Sequence, residues 1–188
     1  MPLLAPTDPL PRPPRRVLVA GASGAGKTTL ARRIADTLDV PHTEIDALFH
    51  GPGWVPRASF MDDVGELLAQ LTWVTEWQYD GARPMLAAAA DTMLWLDLPR
   101  PLVTSRVVRR TVRRRVRRVE LWNGNFEPPF SAFFTDPEHV VRWAWKTHAR
   151  NRRLVLGAAA EHPQLAVVRL RSQREVDAWM RRLGRGEP

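Results

Sequence analysis

Arg15-Arg16-Val17-Leu18-Val19-Ala20-Gly21-Ala22-Ser23-Gly24-Ala25-Gly26-Lys27-Thr28-Thr29-Leu30 is the stretch on which the fold turns. A short apolar run ends at a glycine, and Leu30, Ile34 and Leu38 then recur at helical spacing. The order is therefore strand, glycine-rich loop, helix. Gly21 to Thr28 satisfies G-x-x-x-x-G-K-[ST] in full. Such a loop curls so that successive N–H groups point at phosphate oxygens, and the following helix adds its positive end. Lys27 is expected to reach the β and γ phosphates, and the Thr28 hydroxyl to hold Mg²⁺. The chemistry implied is binding of a nucleoside triphosphate along Gly21, Ala22, Ser23, Gly24, Ala25, Gly26, Lys27 and Thr28.

Outward from the loop, four further apolar segments read as strands: His42 to Leu48, Trp73 to Gln78, Thr92 to Leu98 and Leu165 to Leu170. Helical patterns separate them, from Ser59 to Leu71, Pro84 to Ala90, Pro101 onward, about Pro137 to Ala160, and Glu175 to Leu183. Strands alternating with helices mean an α/β fold whose parallel sheet is covered on both faces.

The 188 residues suit one domain, read as residues 15–188 behind a flexible proline-rich tail, 1–14. With no cysteine there is no disulfide framework or thiolate metal site, and no apolar run is long enough to span a membrane. A cytoplasmic protein is expected. The net charge of +8 is local: residues 106 to 118 hold eight arginines and no acid, leaving 20 basic against 20 acidic residues elsewhere. Of the 28 basic residues 26 are arginine, a bias suggesting a GC-rich coding sequence, so the high isoelectric point alone does not imply nucleic acid.

Ligands of open parallel sheets lie beyond the carboxyl ends of the strands. Asp46, Glu76 and Asp97 fall near three such ends. A phosphotransferase needs one carboxylate to orient or deprotonate the attacking hydroxyl and another beside Mg²⁺. Asp46 suits the first role and Glu76, after Trp73-Val74, the second; Asp97 ranks below both, and each can equally be a solvated loop acid or a helix cap.

Past Pro101, Val108, Val112, Val116 and Val119 form a stripe expected to pack on the body, while Arg106, Arg110, Arg113 and Arg117 form a row on one face. That row can clamp phosphates as a mobile lid closes. A solvated charged face and a nucleic-acid surface compete with this reading. Trp122, Phe126, Phe130, Phe133 and Phe134 flank Asn123-Gly124-Asn125 and suit packing between lid and return helix better than base stacking. The five histidines show no metal spacing.

Taken together, GASGAGKTTLARRIA (21–35), EIDALFHGPGW (44–54), WVTEWQY (73–79), WLDLPR (95–100), RRTVRRRVRRVELWNGNFEPP (109–129) and RWAWKTHARNRR (142–153) resemble the adenylate kinase-related P-loop proteins called the topology modulation protein family, over about Arg15 to Leu183. The resemblance implies a P-loop NTPase of the nucleoside monophosphate kinase type: three layers, five parallel strands in the order 2-3-1-4-5, and a small lid at about 101–135. It implies an ATP:acceptor phosphotransferase that needs Mg²⁺ and acts on a small molecule, a nucleotide or nucleoside first. Gly21 to Thr29 would hold ATP; Lys27, Asp46, Arg110 and Glu76 would be catalytic, Thr28 and Glu76 the metal side, and Arg106, Arg114 and Arg150 would approach the phosphates. The alternative is a regulatory or nucleic-acid-associated P-loop ATPase, or a nucleotide-binding protein without turnover. At the third strand this chain has Glu76-Trp77 where the family reads Asp-Gly, so Trp77 is expected to crowd the acceptor.

Overall fold

The computed structural model of the chain describes residues 3–126 and 140–186, with the backbone alone for 140–147. Phe130, Phe133, Phe134 and the last part of the expected lid lie outside the described residues.

Four apolar segments form strands: β1 (Arg16–Gly21), β2 (Trp73–Glu76), β3 (Thr92–Leu96) and β4 (Ala166–Leu170). All pair in parallel, in the order β2–β1–β3–β4. The sheet thus has four strands, not five, and the expected order 2-3-1-4-5 is corrected accordingly. The segment that fails is His42 to Leu48. It contributes a single bridge, His42 to Val74, and then turns into a short helix, α2 (Ile45–Phe49). Thr43 N–H reaches Val74 O and Val74 N–H reaches Pro41 O, after which the chain leaves the sheet edge.

The remaining helices are α1 (Lys27–Leu38), α3 (Phe60–Leu68), α4 (Arg83–Ala89), α5 (Arg100–Val116), α6 (Val140–Glu161) and α7 (Gln173–Gly184). Residues alternate across the strands, so each face of the sheet gathers its own core. Val17, Val19, Leu94, Leu96, Val168 and Leu170 meet Leu30 and Ile34 of α1 and Val176, Trp179 and Leu183 of α7. Leu18, Ala20, Trp73, Met93, Trp95 and Val167 meet Ile45, Val64 and Leu67, Leu86 of α4 and Val155 of α6. The result is three layers with the carboxyl ends of all four strands on one side.

The start of the chain, expected to be disordered or loosely docked, lies on the body at residues 3–10. Leu4 exchanges backbone hydrogen bonds with Val167 and Arg169 beside β4, and Arg182 donates to the Pro6 carbonyl. Leu4 and Leu10 add apolar contact to the core.

Helix α5 presents a different face from the expected one. Val103, Val107 and Thr111 are buried, whereas Val108, Val112, Val116 and Val119 are 38–70% exposed. The regular valine stripe therefore faces outward among the described residues, and the less regular row packs on the body.

Candidate functional site

The loop after β1 is shaped by two glycines. Gly26 caps α1 with φ 97, a left-handed conformation, and a Cβ on Gly24 (φ +83) would stand 2.7 Å from the Val103 carbonyl. Helix α5 therefore rests directly on the loop through Val103 and Val107. Lys27 folds back over it, buried, with Nζ 3.4 Å from Ala22 O. Burial lowers its pKa from the usual 10.5 to about 8; Asp46 and Glu76 oppose the shift, and Arg110 and Arg83 add to it. The charges of two acids and two further cations thus act on one buried ammonium.

Glu76, at the end of β2, is 1% exposed. It accepts from the Ile45 backbone N–H at 3.1 Å, lies 3.4 Å from His42 Nε2, and takes a hydrogen bond from the Thr28 side chain. Burial works to raise its pKa, but the bonds from His42, Ile45 and Thr28 outweigh it and the net shift is downward. The carboxylate is held ionised beside the hydroxyl expected to carry Mg²⁺. A threonine hydroxyl with one adjacent carboxylate is the hard-oxygen set that Mg²⁺ takes when phosphates and water supply its other ligands, so the residues present fit the ion. Among the described residues no group of three or more His, Cys, Asp or Glu forms an alternative metal site.

Asp46 stands not at a strand end but as the second residue of α2. It accepts hydrogen bonds from Gln78 Nε2 at 2.8 Å and from the Tyr79 hydroxyl at 2.6 Å, and its charge acts on Lys27. Asp97 serves elsewhere, in an ion pair with Arg169 of β4.

Of the arginines, Arg106 comes within 3.5 Å of Ala25 O and 3.2 Å of Gln173 Oε1, and Arg110 acts on Lys27. Arg114 leans over the Trp122 ring, 5.8 Å from its centroid. Arg113 and Arg117 are exposed, so the expected row of four splits: helix rotation brings Arg106, Arg110 and Arg114 inward at a spacing of four. Arg150 pairs at 2.6 Å with Asp80, the acid that Arg83 also bonds.

Arg83 is the site residue that sequence reasoning missed. Its side chain is largely enclosed and bonds Asp80; Nε is buried with no hydrogen-bond partner, and its charge acts on Lys27. The signal was a lone arginine before Pro84, at the start of the helix that follows the acid-bearing strand. Trp77, expected to crowd the acceptor, instead turns into the core, where its ring donates to Arg83 O at 3.0 Å and lies 5.2 Å from the guanidinium. It braces Arg83.

On the far side of Asp46, His50 packs edge-on against Phe49 and Trp54 and stacks on Trp122, with centroids at 5.0, 5.0 and 6.1 Å. The pKa of His50 is lowered by burial, against Asp46 and the Trp54 backbone, so the ring is neutral at pH 7. That of Tyr79 is raised, by burial and then by Asp46. A 3₁₀ turn, Trp122–Gly124, docks here. Asn123 donates to the Ala47 and His50 carbonyls, Asn125 donates to Gly51 O at 2.9 Å and accepts from Trp54 N–H at 3.0 Å, and Trp122 Nε1 donates to Glu44 at 2.9 Å. The motifs 44–54 and 121–126 thus bind each other. Trp54, Tyr79 and Asn123 all adopt positive φ, a local strain held in place by these contacts.

Opposite this cluster, a cleft of about 230 Å³ opens beside the loop, between Gly26, Thr29, Arg33, Arg106, Gln173 and Val176. Sequence reasoning assigned it Thr29 and Arg106; Arg33, Gln173 and Val176 reach it only through the packing of α7 on α1.

No family model matches the chain. Over 45 residues, 23% of this chain, it is 44% identical to the ATP-dependent protease ATPase subunit HslU of Lactobacillus delbrueckii subsp. bulgaricus. Over 38 residues, 20% of the chain, it is 47% identical to the cytidylate kinase of Nitratidesulfovibrio vulgaris. The matches span 10% and 16% of those proteins' lengths. Solved structures align over nearly the whole chain. A gluconokinase from Sinorhizobium meliloti 1021 superposes with a TM-score of 0.51 at 20% identity, covering 93% of this chain and 96% of that one. Shikimate kinase from Bacteroides thetaiotaomicron gives 0.50 at 14% identity, covering 92% and 97%. Shikimate kinase from Acinetobacter baumannii, in complex with shikimate, gives 0.51 at 16%, covering 90% of each. The chain has the α/β fold with parallel sheet of the P-loop kinases.

Proposed function

We propose that this chain is an ATP-dependent phosphotransferase that moves the γ-phosphoryl group of ATP to a small-molecule acceptor. The observation that carries the reading is the convergence of Lys27, Arg110 and Arg83 with Asp46 and Glu76 at the mouth of the glycine loop. Buried cations suit a transferring phosphoryl group, and an acid on each side suits a metal and an attacking hydroxyl. The resemblance to the topology modulation protein family and the gluconokinase, shikimate kinase and cytidylate kinase matches support the same class.

In this reading the cleft beside Thr29, lined by Arg106, Leu30 and Val176 among others, takes the nucleoside. The loop amides and Lys27 hold the β and γ phosphates. Thr28 and Glu76 hold Mg²⁺, which when bound neutralises phosphate charge. Asp46 orients the acceptor hydroxyl and takes its proton as the new O–P bond forms and the bond from the γ phosphorus to the β–γ bridging oxygen breaks, releasing ADP. Arg110 and Arg83 offset charge on the transferring group, and α5 with the Trp122–Asn125 turn excludes water. The reaction therefore rests on positioning and charge neutralisation.

A nucleotide or nucleoside is the first acceptor class, and the neighbours' names add hydroxy acids. The test is ADP release from Mg·ATP in the presence of cytidine, CMP, gluconate or shikimate. Turnover with one of them, abolished by Lys27→Ala, supports the reading; ATP binding with no ADP release from any acceptor identifies a protein without turnover. A nucleic-acid-associated ATPase is the second reading, favoured by Arg109, Arg113, Arg117 and Arg118, which point outward from α5 and the turn after it. It requires retention on DNA or RNA that falls steeply with log salt.

A further inference from the structure

Asp46 has two unlike oxygens. Both of its donors, Gln78 Nε2 and the Tyr79 hydroxyl, converge on Oδ1, and Oδ2 takes part in neither bond. The Tyr79 hydroxyl gives its one proton to Asp46, the shorter and charge-assisted bond, so toward His50 Nε2, 3.2 Å away, it can only accept. His50 therefore carries its proton on Nε2, which leaves Nδ1 bare. That nitrogen is buried with no hydrogen-bond partner, and a proton placed there would be left unpaired at a higher cost than a bare lone pair.

The ring of His50 is fixed from outside by the turn that follows α5. Trp122 stacks on it, and Asn123 donates to the His50 backbone carbonyl. Tyr79 is fixed in turn by Phe49, stacked at 3.9 Å with planes 19° apart, and by its left-handed φ of 61, which aims the hydroxyl back at α2. A chain of contacts thus runs from the lid turn through His50 and Tyr79 to one oxygen of Asp46.

We propose that Tyr79 and His50 are positioning residues for Asp46: they anchor Oδ1, which presents Oδ2 to the acceptor, and the docked Trp122–Asn125 turn holds that arrangement in place. This rests on the reading of Asp46 as the acceptor-side base. It extends that reading by making base alignment depend on lid docking.

Two readouts on the full chain test it. Long-range ¹H–¹⁵N spectra report the tautomer of His50 without any acceptor. A neutral Nε2–H ring at pH 7, mixing with the Nδ1–H form in Tyr79→Phe and in Trp122→Ala, is the expected result; an Nδ1–H or doubly protonated ring in the unaltered chain overturns the proposal. The second readout is steady-state ADP release from Mg·ATP, with water and with cytidine, CMP, gluconate and shikimate as acceptor probes. Tyr79→Phe keeps the ring packing and loses only the hydroxyl. It and His50→Leu are expected to lower kcat by about 10-fold or more, with KM for ATP and the thermal midpoint unchanged. His50→Gln, whose amide nitrogen can occupy the place of Nε2, restores most of the loss. Wild-type kcat in both Tyr79→Phe and His50→Leu, with Asp46→Asn inactive, overturns the positioning proposal alone; full turnover in Asp46→Asn overturns the base reading beneath it.

Discussion

Lys27 shows how much one residue carries. Its ammonium is buried before any phosphate arrives, and burial has moved its pKa down to about 8. Between about pH 8 and its unperturbed value the unfolded chain binds more protons at this residue than the folded one, so its contribution to folding stability rises with pH across that window. ATP binding runs the other way, because a triphosphate favours the charged form. At pH 8.5 to 9 titration with ATP is expected to take up close to one proton, seen as a heat that varies with the ionisation enthalpy of the buffer, and at pH 6.5 almost none. A buffer-independent heat at both pH values contradicts the placement of Lys27 at the phosphates. At this scale the motif was legible because Gly21 to Thr28 is contiguous and each residue has one job. Glu76 was legible as an acid at a strand end, whereas Asp46, read the same way, lies in the first turn of α2. Arg83 was not, because only the fold brings position 83 up to the loop, and Trp77 was misjudged because its neighbours in sequence do not say which way its ring turns.

Helix α5 shows where periodicity fails. It has two valine rows, and the longer and more regular one, Val108, Val112 and Val116, faces outward. The row that packs, Val103 and Val107, is selected by Gly24, whose missing side chain lets the helix sit on the loop. Periodicity measures regularity within a helix and carries no information about the surface opposite. Val107→Gln is therefore expected to cost more than about 2 kcal/mol of folding stability by burying an unpaired amide. Val112→Gln is expected to stay within about 0.5 kcal/mol. Denaturant melts of the two variants check the rotation of α5, and the reverse ranking contradicts it. The misread strand at His42 to Leu48 has a similar cause. Its apolar residues suit either period over so short a run, and the backbone N–H of Ile45 finds its partner in the Glu76 side chain rather than in a further rung of the sheet.

At the scale of the molecule, the three layers followed from alternation alone, since each strand's neighbours in sequence supply the helices that cover it. That the proline-rich start docks beside β4 in particular was not legible, because a single parallel bridge at Leu4 leaves no periodic trace. The cleft beside the loop was half legible: the loop side lies in the motif, while Gln173 and Val176 arrive from the far end of the chain. The whole arrangement serves one claim, that strand, loop and helix bring a buried lysine, two acids and the arginines of α4 and α5 around a nucleoside triphosphate. Calorimetric titration of the full chain with Mg·ATP at pH 7 tests that claim most directly. Saturable binding at one site per chain, lost in Lys27→Ala while the fold is kept, is the predicted result; absence of binding by both ATP and GTP to the folded, unaltered chain would contradict it.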